Sequence, residues 1–165
     1  MTIFGRFLKD GAPTYAEVEG ANAHFLADFW GARTRTGVSQ PVAELQILPP
    51  VAPSKLIAIG LNYVEHVKEF NREVSATPVT WLKSPQAIVG SGETIRIAYP
   101  DHITHHECEL GVIIGKPCKN VSEEQALDYV LGYTPAQDIS DRTVQRSEPQ
   151  WMRAKSFDTY APLGP

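Results

Sequence analysis

HHECELGVIIG, residues 105–115, sets two carboxylates one residue apart at the head of an apolar run. In a β-strand alternate side chains share a face, so Glu107 and Glu109 point the same way, about 7 Å apart along the strand. Cys108, Leu110, Val112 and Ile114 then take the opposite face, and Leu110 to Ile114 reads as a strand in a packed sheet. Cys108 is expected there as a small core residue rather than a ligand. Two anions on one partly buried face repel each other and lose solvation, so the pair needs a positive partner or a raised proton affinity. Taken alone, the motif leaves two readings open: a solvated strand end, or a cation site.

Working outward, residues 2–8 and 14–18 read as short strands around the turn KDGAP, punctuated by Gly11 and Pro13. AHFLADFWG (23–31) is aromatic and of ambiguous period. ELQILPPVAPSK gives a strand and then a joint stiffened by Pro49, Pro50 and Pro53. That joint separates a small N-terminal appendage, residues 1–49, from a main body, residues 50–165. In the body, KLIAIGLNY (55–63) has the continuous apolar character of a buried strand, and VEHVKEFNRE follows as a helical turn or two. VTWLKSPQ (79–86) and ETIRIAY (93–99) read as strands separated by the loop AIVGSG. SEEQALDYVLGY (122–133) reads as the clearest helix, with Ser122 and Gln125 as a capping box, an apolar stripe of Ala126, Leu127 and Val130, and an exit at Gly132. YTPAQDISDR is strand-like. Many short strands with few helices make a β-rich α+β domain.

The bulk numbers exclude several classes. At 165 residues, 42% hydrophobic and 21% charged, the chain fits an ordinary globular protein of one domain with a small appendage. A net charge of −4 argues against nucleic acid as the main partner. No apolar run approaches the roughly 18 residues needed to span a membrane, and MTIFGRFLKDG lacks the apolar core of a signal peptide. Cys108 and Cys118 make neither a disulfide framework nor a zinc pattern, which fits reduced thiols in a cytoplasmic protein. No dinucleotide fingerprint or phosphate-binding loop is present.

Three features bear on the two glutamates. Asp138 ends a mostly apolar segment some 30 residues downstream. Three carboxylates suit a hard divalent cation such as Mg²⁺, whereas zinc calls for His or Cys; a lone Asp in a loop is otherwise a turn former. His66 and Glu69, three apart, would share a helical face, and a carboxylate holding one imidazole nitrogen leaves the other free as a general base; otherwise they are a surface pair. Lys155, in RAKSFD, could meet an oxyanion developing on a substrate, or be one more solvated lysine. His105 shares the carboxylate face at the strand entrance, while His24, His102 and His106 read as structural or exposed.

Together these pieces resemble the fumarylacetoacetate hydrolase family. The match runs in order through Gly60-Leu61-Asn62-Tyr63 with His66 and Glu69, Trp81-Leu82-Lys83-Ser84-Pro85, and Glu107-Cys108-Glu109-Leu110-Gly111. It continues with Gly132-Tyr133, Asp138 with Arg142 and Gln145, Lys155-Ser156-Phe157 and Pro162-Leu163-Gly164-Pro165. The resemblance implies a mixed β-sandwich roll in which Glu107, Glu109 and Asp138 hold one Mg²⁺ or Mn²⁺. It further implies that His66 with Glu69 activates water, that Lys155 meets the oxyanion, and that Tyr63, Arg142 and Gln145 line the substrate pocket. The implied substrate is a 2-oxo or 1,3-diketo acid, cleaved at a carbon–carbon bond, tautomerised or decarboxylated; the implied assembly is a homodimer. Family members are longer on the C-terminal side, where further strands and a Gly-Thr-Pro segment help close the pocket. Two hypotheses follow: a metal-dependent hydrolase, lyase or isomerase, or a truncated, non-catalytic relative.

Overall fold

The N-terminal appendage is an antiparallel sheet whose first turn is written into the sequence. Strands β1 (Ile3–Lys9) and β2 (Ala12–Glu19) are joined by Asp10-Gly11, both at positive φ (49° and 78°). This is the backbone a two-residue hairpin needs to match strand twist, and Asp-Gly adopts it at low cost. With β3 (Asn22–Leu26), β4 (Arg35–Pro41) and β5 (Gln46–Leu48), the sheet runs in the order β4-β3-β2-β1-β5. Phe7, Ala16, Ala23 and Phe25 form its core, flanked by Val18, Val42 and Leu45. Tyr15 stacks on Phe29 at 3.9 Å, and Trp30 meets Phe29 edge-on.

The body is described in a computed structural model covering residues 1–69, 73 and 76–165, with the side chains of His66 and Glu69 outside the described residues. It is assembled from short pairings rather than one broad sheet. β6 (Leu56–Gly60) pairs with β7 (Val79–Lys83), with α1 (Val64–Glu69) between them in sequence. β8 (Ile88–Val89) lies parallel to the C-terminal β13 (Ala161–Pro162). β9 (Thr104–His105) pairs with β12 (Ser140–Asp141), and β10 (Cys108–Ile114) with β11 (Val130–Gln137). The short helix α2 (Arg142–Ser147) follows β12 directly. The β-rich α+β class read from the sequence is the one observed.

Four local expectations are corrected. Residues 93–99 form no strand: two of their backbone donors go to side chains, Arg96 N–H to Thr159 Oγ1 and Ala98 N–H to the Tyr160 hydroxyl. SEEQALDYVLGY is not one helix. Glu123–Tyr129 is a 3-10 segment that buries nothing, and Leu127 is exposed. Ser122 makes no side-chain cap bond to it, and Val130 and Gly132 are drawn into β11 as partners of Ile114 and Ile113. The face of β10 opposite the glutamates is not packed: Cys108, Leu110, Val112 and Ile114 are exposed, so Cys108 is not a core residue. Ile57 and Ile59 of β6, which pairs with β7 alone among the described residues, are likewise exposed.

Candidate functional site

The register of β10 against β11 brings Glu107 and Asp138 together. Cys108 pairs with Gln137, and one step further the Asp138 N–H donates to the Glu107 carbonyl at 2.9 Å. Burial alternates as a half-buried strand requires, with Glu107 and Glu109 turned in and Cys108 and Leu110 out. Ser140 follows on β12, opposite His105. The Arg153–Lys155 turn delivers Lys155 from the other side, its N–H donating to the Trp151 carbonyl at 3.2 Å.

Two buried lysines meet these acids. Lys155, 2% exposed, donates to Glu107 Oε2 at 3.0 Å, to Ser140 Oγ at 2.7 Å and to Asp138 Oδ2. Its ammonium lies 4.8 Å from the centre of the Trp81 ring. That ring is held edge-on by Trp151, and both indoles approach Gly60 so closely that a Cβ there would stand 2.7 Å from Trp81 and 3.0 Å from Trp151. Lys83, 4% exposed, donates to Asp138 Oδ1 at 2.5 Å and to the Tyr160 carbonyl at 3.0 Å. Sequence reading gave Lys83 no role, although period-2 alternation along TWLK places it on the inward face with Trp81. Ser140 was also missed; a serine between Asp138 and Asp141 carries no signal of its own.

Arg142, the first residue of α2, ties the rim together. Its guanidinium donates to Glu107 Oε1, to Gln145 Oε1 at 2.7 Å and to His105 Nδ1 at 3.3 Å. Asp141 anchors that helix start: its carboxylate accepts from Val144 N–H and pairs with His102 Nδ1 at 2.7 Å. Tyr63 is hydrogen-bonded to Glu109. Tyr63, His105, His106, Glu107, Glu109 and Arg142 border a cleft of about 320 Å³. The catalytic pair read from the sequence, His66 and Glu69, falls within α1, but its side chains lie outside the described residues.

The electrostatics follow from this geometry. Burial pushes the Glu107 carboxyl up, but the Lys155 ammonium and the Arg142 guanidinium outweigh it and bring the pKa down to about 2. Glu109 moves the other way: burial, then the charges of Asp138 and Glu107, raise its pKa, while Tyr63 and Lys155 offset only part of this. Burial lowers the pKa of Lys83, opposed by the adjacent Asp138. The donor set is one of hard carboxylate and hydroxyl oxygens, the type that suits Mg²⁺ or Mn²⁺. Among the described residues no three acidic, His or Cys side chains form a ready-made metal cage. Glu107 and Asp138 share the Lys155 ammonium, and Glu109 stands beside them.

Residues 55–165 match the family model described as fumarylacetoacetate (FAA) hydrolase C-terminal, and residues 4–50 one described as Rv2993c-like, N-terminal. The chain belongs to the fumarylacetoacetate hydrolase family. It is 42% identical over 126 residues to the mitochondrial oxaloacetate tautomerase fahd2 of Xenopus laevis, covering 74% of this chain and 40% of that protein. The 2-hydroxyhepta-2,4-diene-1,7-dioate isomerase of Mycobacterium marinum superposes with a TM-score of 0.87 at 38% identity, over 99% of this chain and 64% of that one. A maleylpyruvate hydrolase of Sphingobium sp. SYK-6, in complex with manganese(II) and pyruvate, superposes with a TM-score of 0.73 at 26% identity, over 99% and 65%. These relatives include a tautomerase, an isomerase and a hydrolase. The chain spans about half to two thirds of the length of two curated relatives it matches. Among the described residues no helix is long and apolar enough to cross a membrane.

Proposed function

We propose that the protein is a metal-dependent enzyme of 2-oxo and 1,3-diketo acids, cleaving a carbon–carbon bond by attack of an activated water. The observation that carries this is the convergence of Glu107 and Asp138 on one buried cationic group, with Glu109 on the same strand face. Glu107, Glu109 and Asp138 would hold Mg²⁺ or Mn²⁺, which when bound would polarise the keto oxygen of a 2-oxo acid as a Lewis acid. Arg142 has N–H groups beyond the three in use, and with Gln145 and Tyr63 it would orient the substrate across the cleft. His66, oriented by Glu69, would take the proton from the attacking water. The negative charge left on the departing fragment would fall to Lys155, whose burial makes its charge count for more than it would in water. A homodimer is part of this proposal, on family resemblance alone.

A second reading, tautomerisation of a 2-oxo dicarboxylic acid such as oxaloacetate at the same residues, is favoured by the 42% identity to a protein bearing that name. Decarboxylation would use the same groups. The test is turnover of acylpyruvates and of oxaloacetate by the full chain with Mn²⁺, beside His66→Ala. Acylpyruvate cleavage lost in His66→Ala supports hydrolysis. Enol–keto interconversion of oxaloacetate without cleavage favours the tautomerase, and neither reaction in a folded chain contradicts both.

A further inference from the structure

Lys83 and Lys155 approach the same carboxylate from opposite oxygens, and their remaining contacts differ in kind. Lys83 holds Asp138 Oδ1 and is pinned to backbone, the Tyr160 carbonyl, which also receives the Ile139 N–H at 3.2 Å. Lys155 holds Asp138 Oδ2, Glu107 Oε2 and Ser140 Oγ, all of them side-chain oxygens. An ammonium has three donors, and those three contacts use them all. Two of the three carboxylates that the proposed function assigns to a divalent cation are therefore gripped by the Lys155 ammonium. An ammonium and a divalent cation repel strongly at such separations in a buried site, so the two cannot share one pair of oxygens at low cost.

Resting on the assignment of Glu107, Glu109 and Asp138 to a divalent cation, we propose that Lys155 is an exchangeable internal counter-ion of the site. Cation binding displaces its ammonium from Glu107 Oε2 and Asp138 Oδ2. The ammonium keeps Ser140 Oγ and the face of the Trp81 ring as partners, and a cation over an indole retains part of its stabilisation. Freed of two carboxylates, Lys155 has donors to offer a substrate anion. Loading the site and arming Lys155 are then one event, while Lys83 stays on Asp138 Oδ1 and keeps that carboxylate oriented. The division of labour explains why one acid has two buried lysines: one positions it and the other is the charge it exchanges.

The test needs no variant at first. Lysines of the full chain are labelled with acetic anhydride, with and without saturating Mg²⁺, and read by peptide mass spectrometry. Lys155 labelling rises along a saturation curve in Mg²⁺, and Lys83 labelling stays low throughout as an internal control. Calorimetric Mn²⁺ titrations of wild type, Lys155→Met and Glu107→Gln complete it. Lys155→Met binds Mn²⁺ at least about tenfold more tightly than wild type, the scale of one charge-assisted hydrogen bond no longer in competition. If wild type binds Mn²⁺ and Glu107→Gln does not, yet Lys155 labelling is flat and Lys155→Met binds no more tightly, the exchange is overturned and the metal assignment survives. If wild type fails to bind, or Glu107→Gln binds equally well, the metal assignment falls and the exchange with it.

Discussion

In the N-terminal sheet Phe7 and Phe25 are each 2% exposed and pack with Ala16 and Ala23, whereas the most enclosed groups of the body include Lys83, Asp138, Ser140, Asp141 and Lys155. The contrast extends to the surfaces. The body leaves Ile57, Leu82, Leu110, Val112 and Ile114 of its hairpins at 50% exposure or more. The N-terminal region encloses a small apolar core and keeps its ion pairs outside, Arg35 with Glu17 and Glu19 among them, although Ile3, Trp30 and Val38 are exposed there too. The other turns its charges in. Burying ions costs more than burying hydrocarbon, so the body's arrangement gains little stability for its own sake. It suits a site where charge must be held in low dielectric and aimed at a reacting group.

The largest effect is expected of Asp138→Ala. It leaves Lys83 and Lys155 buried without their shared anion and should cost about 3–5 kcal/mol in urea unfolding. Hydrogen-exchange protection of β1 to β3 should survive, because their core does not touch the cluster. The converse is Phe25→Ala, which should cost about 3–4 kcal/mol of local stability through the cavity it opens. It should leave calorimetric Mn²⁺ binding unchanged; weakened binding would mean that the two regions are energetically coupled.

Acid separates the regions further. Glu107 has its pKa lowered from 4.5 to about 2 in the folded chain. Its stabilising contribution is therefore complete above about pH 4.5 and is lost as pH falls towards 2. Glu109, with a raised pKa, works against folding when ionised and relieves that penalty as pH falls. Acid titration of the tryptophan fluorescence, followed beside exchange in β1 to β3, should show the body responding between pH 4.5 and 2. Glu107→Gln should remove that response. The smallest effect is expected at Leu110→Ser, on an open strand face, at less than about 0.5 kcal/mol in the same unfolding assay.

What was legible in the sequence follows from these two kinds of interior. Local rules served β1, β2 and β5, with Asp10-Gly11 at the first turn, but residues 22–26, of ambiguous period, and residues 35–41, which carried no strand signal, are β3 and β4. The strand period also turned Glu107 and Glu109 to one side. The rest depended on partners distant in sequence. Residues 93–99 have strand composition, yet the Arg96 and Ala98 donors are taken by Thr159 and Tyr160, more than 60 residues away. Residues 122–133 have helical composition, but pairing with Val112, Ile113 and Ile114 claims their last four residues for β11. An apolar run such as Leu110–Ile114 reads as buried because composition cannot say whether a second layer lies against it. Lys83 was invisible for a related reason: lysines are rarely buried, and only the fold shows Asp138 and the Tyr160 carbonyl waiting for its ammonium.

On the proposed function, the inward-facing acids of the β10–β11 hairpin hold a divalent cation for chemistry on 2-oxo acids. Electron paramagnetic resonance of Mn²⁺ titrated into the full chain, with and without pyruvate, tests it most directly. One saturable site is expected, absent in Glu107→Gln, whose spectrum changes when pyruvate is added. A spectrum of free Mn²⁺ at every concentration, or a bound signal indifferent to both Glu107→Gln and pyruvate, would contradict it.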